Sequence, residues 1–458
     1  MRSDGCRGQG LNWKRAGRAA AMLAAMCGAG LGSAGAAAAS SQTVAWGTTS
    51  SAPAGALGQL FGVAAASSTD VLAVGGYNPG ETPTAVLTRP YAEHRTGAGW
   101  TATSVPLGSV YPSSQAAQLN GVTEPAPGNG WAVGPVSDLS SGSGASQTLG
   151  FHWNGAAWTR SPTPDPAGPA QPNQLTAVAA RATNDVWAAG SDNFPEASLV
   201  LHFNGSAWSQ VSVPNIGSLD AVAVAPGRVW VAGGDHVEQF DGTTWTKLPT
   251  APSSPVITGL AHTLAGLWAV GYVGFSCGEG GVCTDSWAAL WNGMTWTMAP
   301  GVGGTELSGV TAAGSQVLAT SQTQVWRLSL TGATVQVTPA LDGQLTAITA
   351  DPAGNPWAVG SKITNAQGTD QPAIINAPGI RQGGISVTTG AANATVTWIG
   401  PVNGSGGTDP SGRFAVGGLP DGRYTVTASL PACQPGTATA TVTAGVATPV
   451  NAPITCPP

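Results

Sequence analysis

The sequence predicts an all-β chain, a seven-bladed β-propeller followed by a small β-sandwich, and three observations carry that expectation. A five-residue unit (Leu or Ile, any residue, Ala or Gly, an aliphatic residue, Ala or Thr) recurs seven times, beginning at Leu60, Leu119, Leu175, Leu219, Ile257, Leu307 and Leu345. Each copy is followed by an apolar run, usually containing Trp-Ala-Val-Gly, centred on Leu72, Trp131, Trp187, Trp230, Trp268, Leu318 and Trp357. Four units then place Asn-Gly or Asp-Gly between aromatic-rich strands, at 151–158, 201–208, 239–245 and 290–296. Self-similarity at this spacing marks a repeat architecture.

The unit and its partner run read as the first two strands of a blade. The Asn-Gly and Asp-Gly dipeptides accept the positive φ angles of a type I′ turn and so predict a tight hairpin between third and fourth strands. A lone four-stranded sheet cannot bury both faces, so the seven units are expected to pack against one another around an axis. An outer-strand aromatic stands at Trp100, Trp158, Trp208, Trp245 and Trp296, with Val335 in the sixth unit, whereas the seventh runs out after Ile374-Ile375. The Val44-Ala-Trp46 segment reads like Ala157-Trp158, so Trp46 is predicted to supply the missing outer strand and remove an exposed sheet edge. With 66 Gly, 35 Pro and 8% charged residues the chain is turn-rich, and 42% hydrophobic residues with 17 Trp exclude disorder.

The first 39 residues read as a signal peptide. Arg2, Arg7, Lys14, Arg15 and Arg18 precede an Ala- and Gly-rich apolar stretch, 19–39, that ends in Ala-x-Ala. Its small residues make a weak bilayer span. Cys27 opens lipoprotein attachment as an alternative, opposed by the bulky Met26 before it. Removing 1–39 takes away five basic residues and one acidic residue, leaving 11 against 21 and a net charge of −10, which argues against nucleic-acid and anionic-membrane partners. The expected organisation is 1–39 signal peptide, 40–376 propeller, 377–384 linker and 385–458 sandwich, in a secreted monomer without a membrane span. Four cysteines remain in that exported chain, and they are expected to pair locally as Cys277–Cys283 and Cys433–Cys456, since their spacing does not suit zinc.

The C-terminal stretch Thr408-Asp-Pro-Ser-Gly-Arg-Phe-Ala-Val-Gly-Gly-Leu-Pro-Asp-Gly-Arg-Tyr-Thr-Val-Thr-Ala428, with Ala394-Thr-Val-Thr-Trp398 before it, resembles the carboxypeptidase regulatory-like family. The resemblance implies a transthyretin-like β-sandwich, a fold often grouped with carbohydrate-binding modules, and implies no peptidase activity. From the residues themselves, Asp409, Gly412, Pro420 and Gly422 set turns, while Phe414, Val416, Leu419, Tyr424 and Val426 alternate towards a core. The repeat half, best seen in Asn184-Asp-Val-Trp-Ala-Ala-Gly190, resembles secreted bacterial propellers with repeated Asp-Val-Trp-Ala-Val-Gly and Trp-Asn-Gly-x-x-Trp segments, loosely linked to kelch and galactose-oxidase-like propellers. That likeness implies a fold and no particular activity.

Loop length points to the functional face. First-to-second strand links and third-to-fourth turns are short and share one face; the opposite face receives long, variable links at 77–83, 135–148, 161–174, 192–197 and 272–286. Recognition resides on loops held by a rigid scaffold, so the expected ligand-binding residues are Tyr77, Asn78, Glu81, Asp192, Phe194, Glu196, Tyr272, Phe275 and Asp285. These aromatic faces and carboxylates suit an extracellular glycan or protein. The competing expectation is a glycan-acting hydrolase or lyase using Glu81, Asp192, Glu196 or Asp285. No cofactor or metal is expected: His152 and His202 share a repeat position that also holds Gln239 and Leu290, while His94, His236 and His262 come from unrelated places. Asp70 and Asp185, just before second strands, read as turn caps.

Overall fold

The computed structural model describes residues 47–48, 57–78, 89–97, 99–107, 115–138, 144–192, 195–277, 281–314, 316–330, 335–336, 343–363, 370–377, 382–400, 403–420, 422–442 and 447–457. The predicted signal peptide, Trp46, Glu81 and Phe194 lie outside the described residues. Among the described residues there is no helix, and all regular structure is β.

Seven of the sheets are antiparallel and built from strands in up-and-down order. We number them along the chain: sheet 1 spans 57–103, sheet 2 115–160, sheet 3 173–210, sheet 4 221–247, sheet 5 256–298, sheet 6 307–336 and sheet 7 343–376. Sheet 2 has its first strand split into Gln115–Ala117 and Gly121–Ala126. Sheet 7 takes its fourth strand from the opposite end of the chain. Gly47 stands opposite Asn376 and Thr48 opposite Ile375, which is the pairing expected of the segment just after Trp46.

Each second strand is apolar on both sides because it is covered on both sides. Seven apolar clusters each join two consecutive sheets. Trp131 and Val133 of sheet 2 pack with Leu175, Leu199, Phe203 and Trp208 of sheet 3, for example, and Trp357, Val359 and Ile374 of sheet 7 pack with Leu60, Val71, Tyr91 and Trp100 of sheet 1. First strands touch in chain order from sheet 1 to sheet 7, and the first strand of sheet 7 touches that of sheet 1. The Gly that closes the Trp-Ala-Val-Gly run has a steric cause: a Cβ on Gly190 would lie 2.0 Å from the Gln174 carbonyl oxygen, and one on Gly360 1.8 Å from that of Gln344.

The position written as any residue in the repeat unit links the sheets. Asn120 donates from Nδ2 to the Leu175 carbonyl (2.8 Å), Thr176 from Oγ1 to Leu219 (2.5 Å), Thr258 to Leu307 (2.6 Å), Ser308 to Leu345 (3.2 Å) and Thr346 to Leu60 (2.6 Å). Each bond runs from one repeat unit to the next, and the last joins residues 286 positions apart. In sheet 1 the position holds Phe61, which has no donor. At the periphery Trp158 Nε1 donates to Thr103 Oγ1 of sheet 1, and Trp208 Nε1 to Ser161 Oγ beside sheet 2, both at 3.1 Å.

The third-to-fourth turns are not type I′. Only their Gly has positive φ (Gly155 89°, Gly205 96°, Gly242 100°, Gly293 100°), and the residue before it is not left-handed. Asn154, Asn204, Asp241 and Asn292 instead accept, on the side-chain oxygen, the N–H groups two and three residues on. The side chain does locally what a second positive φ would otherwise do.

After residue 377 a three-stranded sheet (Arg413–Pro420, Gln382–Thr388, Ala447–Asn451) and a four-stranded one (Gly404–Gly407, Thr395–Ile399, Gly422–Ser429, Gly436–Val442) share one core. Leu419, Tyr424 and Val426 lie inside it, with Phe414 and Val416 packed against it. Asp409 Oδ1 accepts from the Ser411 and Arg413 N–H groups, and Gly412 takes φ 74° in that turn. The expected linker 377–384 is too long at its C-terminal end: Gln382, Gly383 and Gly384 pair with Pro420, Leu419 and Gly417, a bulge absorbing the glycines. Both expected disulfides are present, Cys277–Cys283 and Cys433–Cys456.

Candidate functional site

The two ends of the sheets differ as expected. Two residues link first to second strands in sheets 1–6 and five in sheet 7, whereas the second-to-third link reaches ten residues in sheet 1. The candidate site is therefore built at the end where second strands pass to third strands.

Tyr272, Phe275 and Asp285 are strand residues and not loop residues, because the hairpin of sheet 5 stays paired to its tip. Gly266–Ser276 and Val282–Trp291 keep register from Leu267↔Trp291 to Ser276↔Val282, and Cys277–Cys283 closes the end. Alternation then divides the three side chains. Phe275 and Asp285, whose partners are Cys283 and Val273, share one face; Tyr272, opposite Ser286, lies on the other. Phe275 is 49% exposed. Asp285 is committed to structure, since Oδ1 accepts the N–H groups of Ser286 (2.8 Å) and Gly304 (2.9 Å).

Tyr272 has acidic neighbours that the repeat pattern did not single out. Burial, then the charges of Glu306 and Asp220, raise its phenol above the ordinary tyrosine value. Asp220 fills the variable position of the fourth repeat unit, just before sheet 4, and Glu306 stands just before Leu307 of sheet 6, so three successive repeat units each contribute one group. Asp192 ends the second strand of sheet 3, and burial raises its carboxyl above the usual carboxylate range. Glu196 is exposed in the following turn. Tyr77 and Asn78 end the second strand of sheet 1; Asn78 is buried, and Tyr77 meets Tyr91 edge-on at 5.8 Å. Tyr91 in turn donates from its hydroxyl to Glu93 Oε1 (2.8 Å), and burial followed by that carboxylate drives its phenol upwards.

The opposite end carries a polar pattern that sequence reading assigned only in part. His94, His152 and His202 occupy one register position, facing Leu72, Trp131 and Trp187 across the sheet, so His94 is a repeat residue and not an isolated one. Their Nε2 atoms lie 2.6, 3.3 and 2.9 Å from Asp70, Asn129 and Asp185. Asp70 and Asp185 therefore bridge strands and do not merely cap turns. Asp185 also accepts from Arg181 Nε and Trp187 Nε1, both at 2.8 Å. Burial pulls its carboxyl up, but the hydrogen bonds from Arg181, His202 and Trp187 outweigh that and hold it below the usual range. Glu124 of sheet 2 is 7% exposed beside Asp70, and burial first, then the Asp70 charge, push its carboxyl up to about 8. Among the described residues no three His, Cys, Asp or Glu side chains are grouped as metal ligands.

Residues 382–455 match the carboxypeptidase regulatory-like domain family. Among solved structures, the chain is similar to the extracellular domain of a protein assigned as a hybrid two component system of B. thetaiotaomicron, at 10% identity and a TM-score of 0.44, over 82% of this chain and 52% of that one. It is also similar to U3-55K, at 9% identity and a TM-score of 0.46, over 73% of this chain and 98% of that one. The chain thus spans about half the length of the first of these structures. No curated protein matches it.

Proposed function

We propose that the seven sheets are the blades of a closed β-propeller followed by a transthyretin-like β-sandwich, and that the protein is a secreted, non-enzymatic binding or scaffold protein. Its ligand is an extracellular glycan or protein, taken at the end of the propeller with the long connections. The reading of a ring rests on first strands that touch in cyclic order and on a fourth strand lent to sheet 7 by residues 47–48. Two disulfides accord with an oxidising destination, and no helix among the described residues is long and apolar enough to cross a membrane.

The single observation that carries the binding role is Tyr272 with Asp220 and Glu306, an aromatic face and two carboxylates delivered by three successive repeat units. Such a set recognises ligands through stacking and accepted hydrogen bonds. Mature protein applied to a glycan array, followed by calorimetric titration of any hit, tests it. Tyr272→Ala is expected to weaken binding at least tenfold with no loss of fold. Hits that survive Tyr272→Ala unchanged refute the site, and turnover abolished by Asp192→Asn or Glu196→Gln replaces the binding role with the hydrolytic one.

A further inference from the structure

At the short-turn end sheets 1, 2 and 3 share a hydrogen-bonded polar pair, and sheet 6 replaces both members with other polar side chains. The positions that hold Asp70 and His94 in sheet 1, Asn129 and His152 in sheet 2, and Asp185 and His202 in sheet 3 are taken by Gln316 and Arg327. Where the earlier pairs are hydrogen-bonded, these two side chains are left incomplete. Gln316 is 5% exposed, and neither its Nε2 nor its Oε1 has a partner. Arg327 is partly buried, its Nε has no partner, and among the described residues no carboxylate forms an ion pair with it. Burial lowers its guanidinium below the usual arginine value. Tyr424, fully buried in the C-terminal domain, acts on that guanidinium electrostatically, so this end of sheet 6 faces the last domain.

Among the described residues this partly buried cation has no anion, and the amide diagonal to it has both ends open; nearly all buried polar groups in folded proteins find partners. A group that completes both carries negative charge for the guanidinium and accepts from an amide N–H. We propose that Gln316 and Arg327, at the junction of sheet 6 with the C-terminal domain, form a binding site for a small oxyanion, the carboxylate or phosphate group of a ligand. The planar guanidinium fork offers paired donors that match two oxygens of such a group, and Gln316 Nε2 adds a third. Its Oε1 is then free to accept from the guanidinium, orienting it.

The test uses mature full-length protein dialysed into sodium chloride. Thermal melts are followed while sodium phosphate or sodium acetate replaces chloride at constant ionic strength, for wild type, Gln316→Leu and Arg327→Met. Wild type is expected to show a saturable rise in Tm with at least one anion. Gln316→Leu, which keeps the charge, is expected to need at least tenfold more anion, and Arg327→Met to show no saturable rise. A response to phosphate alone assigns a phosphate-bearing ligand, and a response to acetate alone a carboxylate-bearing one. In chloride alone Arg327→Met is expected to match or exceed wild type, since it removes an uncompensated charge. Equal or non-saturating rises in all three proteins overturn the proposal. Should Arg327→Met fail to fold, an unchanged anion requirement in Gln316→Leu overturns it equally.

Discussion

Replacing Thr346 by Val removes one proton donor while keeping side-chain shape, and so isolates the bond between the last sheet and the first. Thr346 Oγ1 lies 2.6 Å from the Leu60 carbonyl oxygen and 3.1 Å from that of Val359. Its single proton goes to the shorter contact. An intramolecular hydrogen bond contributes about 1 kcal/mol net, and a carbonyl left short of its partner adds a desolvation penalty, so a loss of about 2 kcal/mol is expected. Unfolding entropy near 2.1 cal/mol/K per residue gives about 0.7 kcal/mol/K for a unit of roughly 330 residues, which converts that loss to about 3 °C in Tm. Differential scanning calorimetry of the mature protein measures it. Thr176→Val is the control, because Thr176 makes the same bond to Leu219 between sheets 3 and 4 at 2.5 Å. In a closed ring both variants lose a comparable amount; in an open arc the ends never meet. A Thr346→Val shift below about 0.5 kcal/mol beside a full loss in Thr176→Val refutes closure.

Three further outcomes follow from the packing. The Glu124 carboxyl, pushed up to about 8 in the folded state, favours its neutral form there; its contribution is complete below the unfolded carboxylate range and is lost as pH rises through about 8. Tm measured from pH 5 to 9 should therefore fall more steeply in wild type than in Glu124→Gln, and parallel curves contradict the burial argument. Gly190→Ala drives a Cβ to within 2.0 Å of the Gln174 carbonyl oxygen and should destabilise by more than about 3 kcal/mol, read by urea unfolding; a change within 0.5 kcal/mol would show that the strands separate freely. The two disulfides close loops with sequence separations of 6 and 23, so chain entropy assigns about 2 kcal/mol to Cys277–Cys283 and about 3.5 kcal/mol to Cys433–Cys456. Melts of Cys→Ser pairs check that order.

What could be read from the sequence, and what could not, follows from the kind of signal each feature leaves. The second strands of the seven sheets were legible because each is covered on both faces, so apolar runs recur with little interruption, and Trp131, Trp187, Trp230, Trp268 and Trp357 mark the register. The linking position was not, because Asn120, Thr176, Thr258, Ser308 and Thr346 share no residue type; they share a donor of the right reach, visible only once the next strand is in place. His94 escaped alignment with His152 and His202 for a related reason. Its hairpin turns through Gly97 to Trp100 without the Asn-Gly marker that follows the other two. The glycines at the tip of the sheet 5 hairpin likewise masked strands that run on to Ser276.

The candidate sites invert this logic. A repeat selects for whatever every sheet needs, so a side chain that no sheet needs stands out by breaking the pattern. Glu124 stands on a first strand where sheets 1 and 3 carry Ala65 and Ala180, and Arg327 where sheets 1, 2 and 3 carry His. Both burials cost stability that an apolar or paired residue would not. Asp220 differs, since it fills a position that is polar in most sheets, and Glu306 lies just outside the unit, so neither breaks a rule that sequence alone reveals. Tyr272 joins them only through strand register. Their open hydrogen-bonding groups, at positions that are paired in sheets 1 to 3, therefore locate Gln316 and Arg327 without any knowledge of a ligand, whereas the Tyr272 group depends on how three repeat units converge. The anion titration consequently probes a site read from chemistry alone, and it stands or falls independently of what the long-connection end binds.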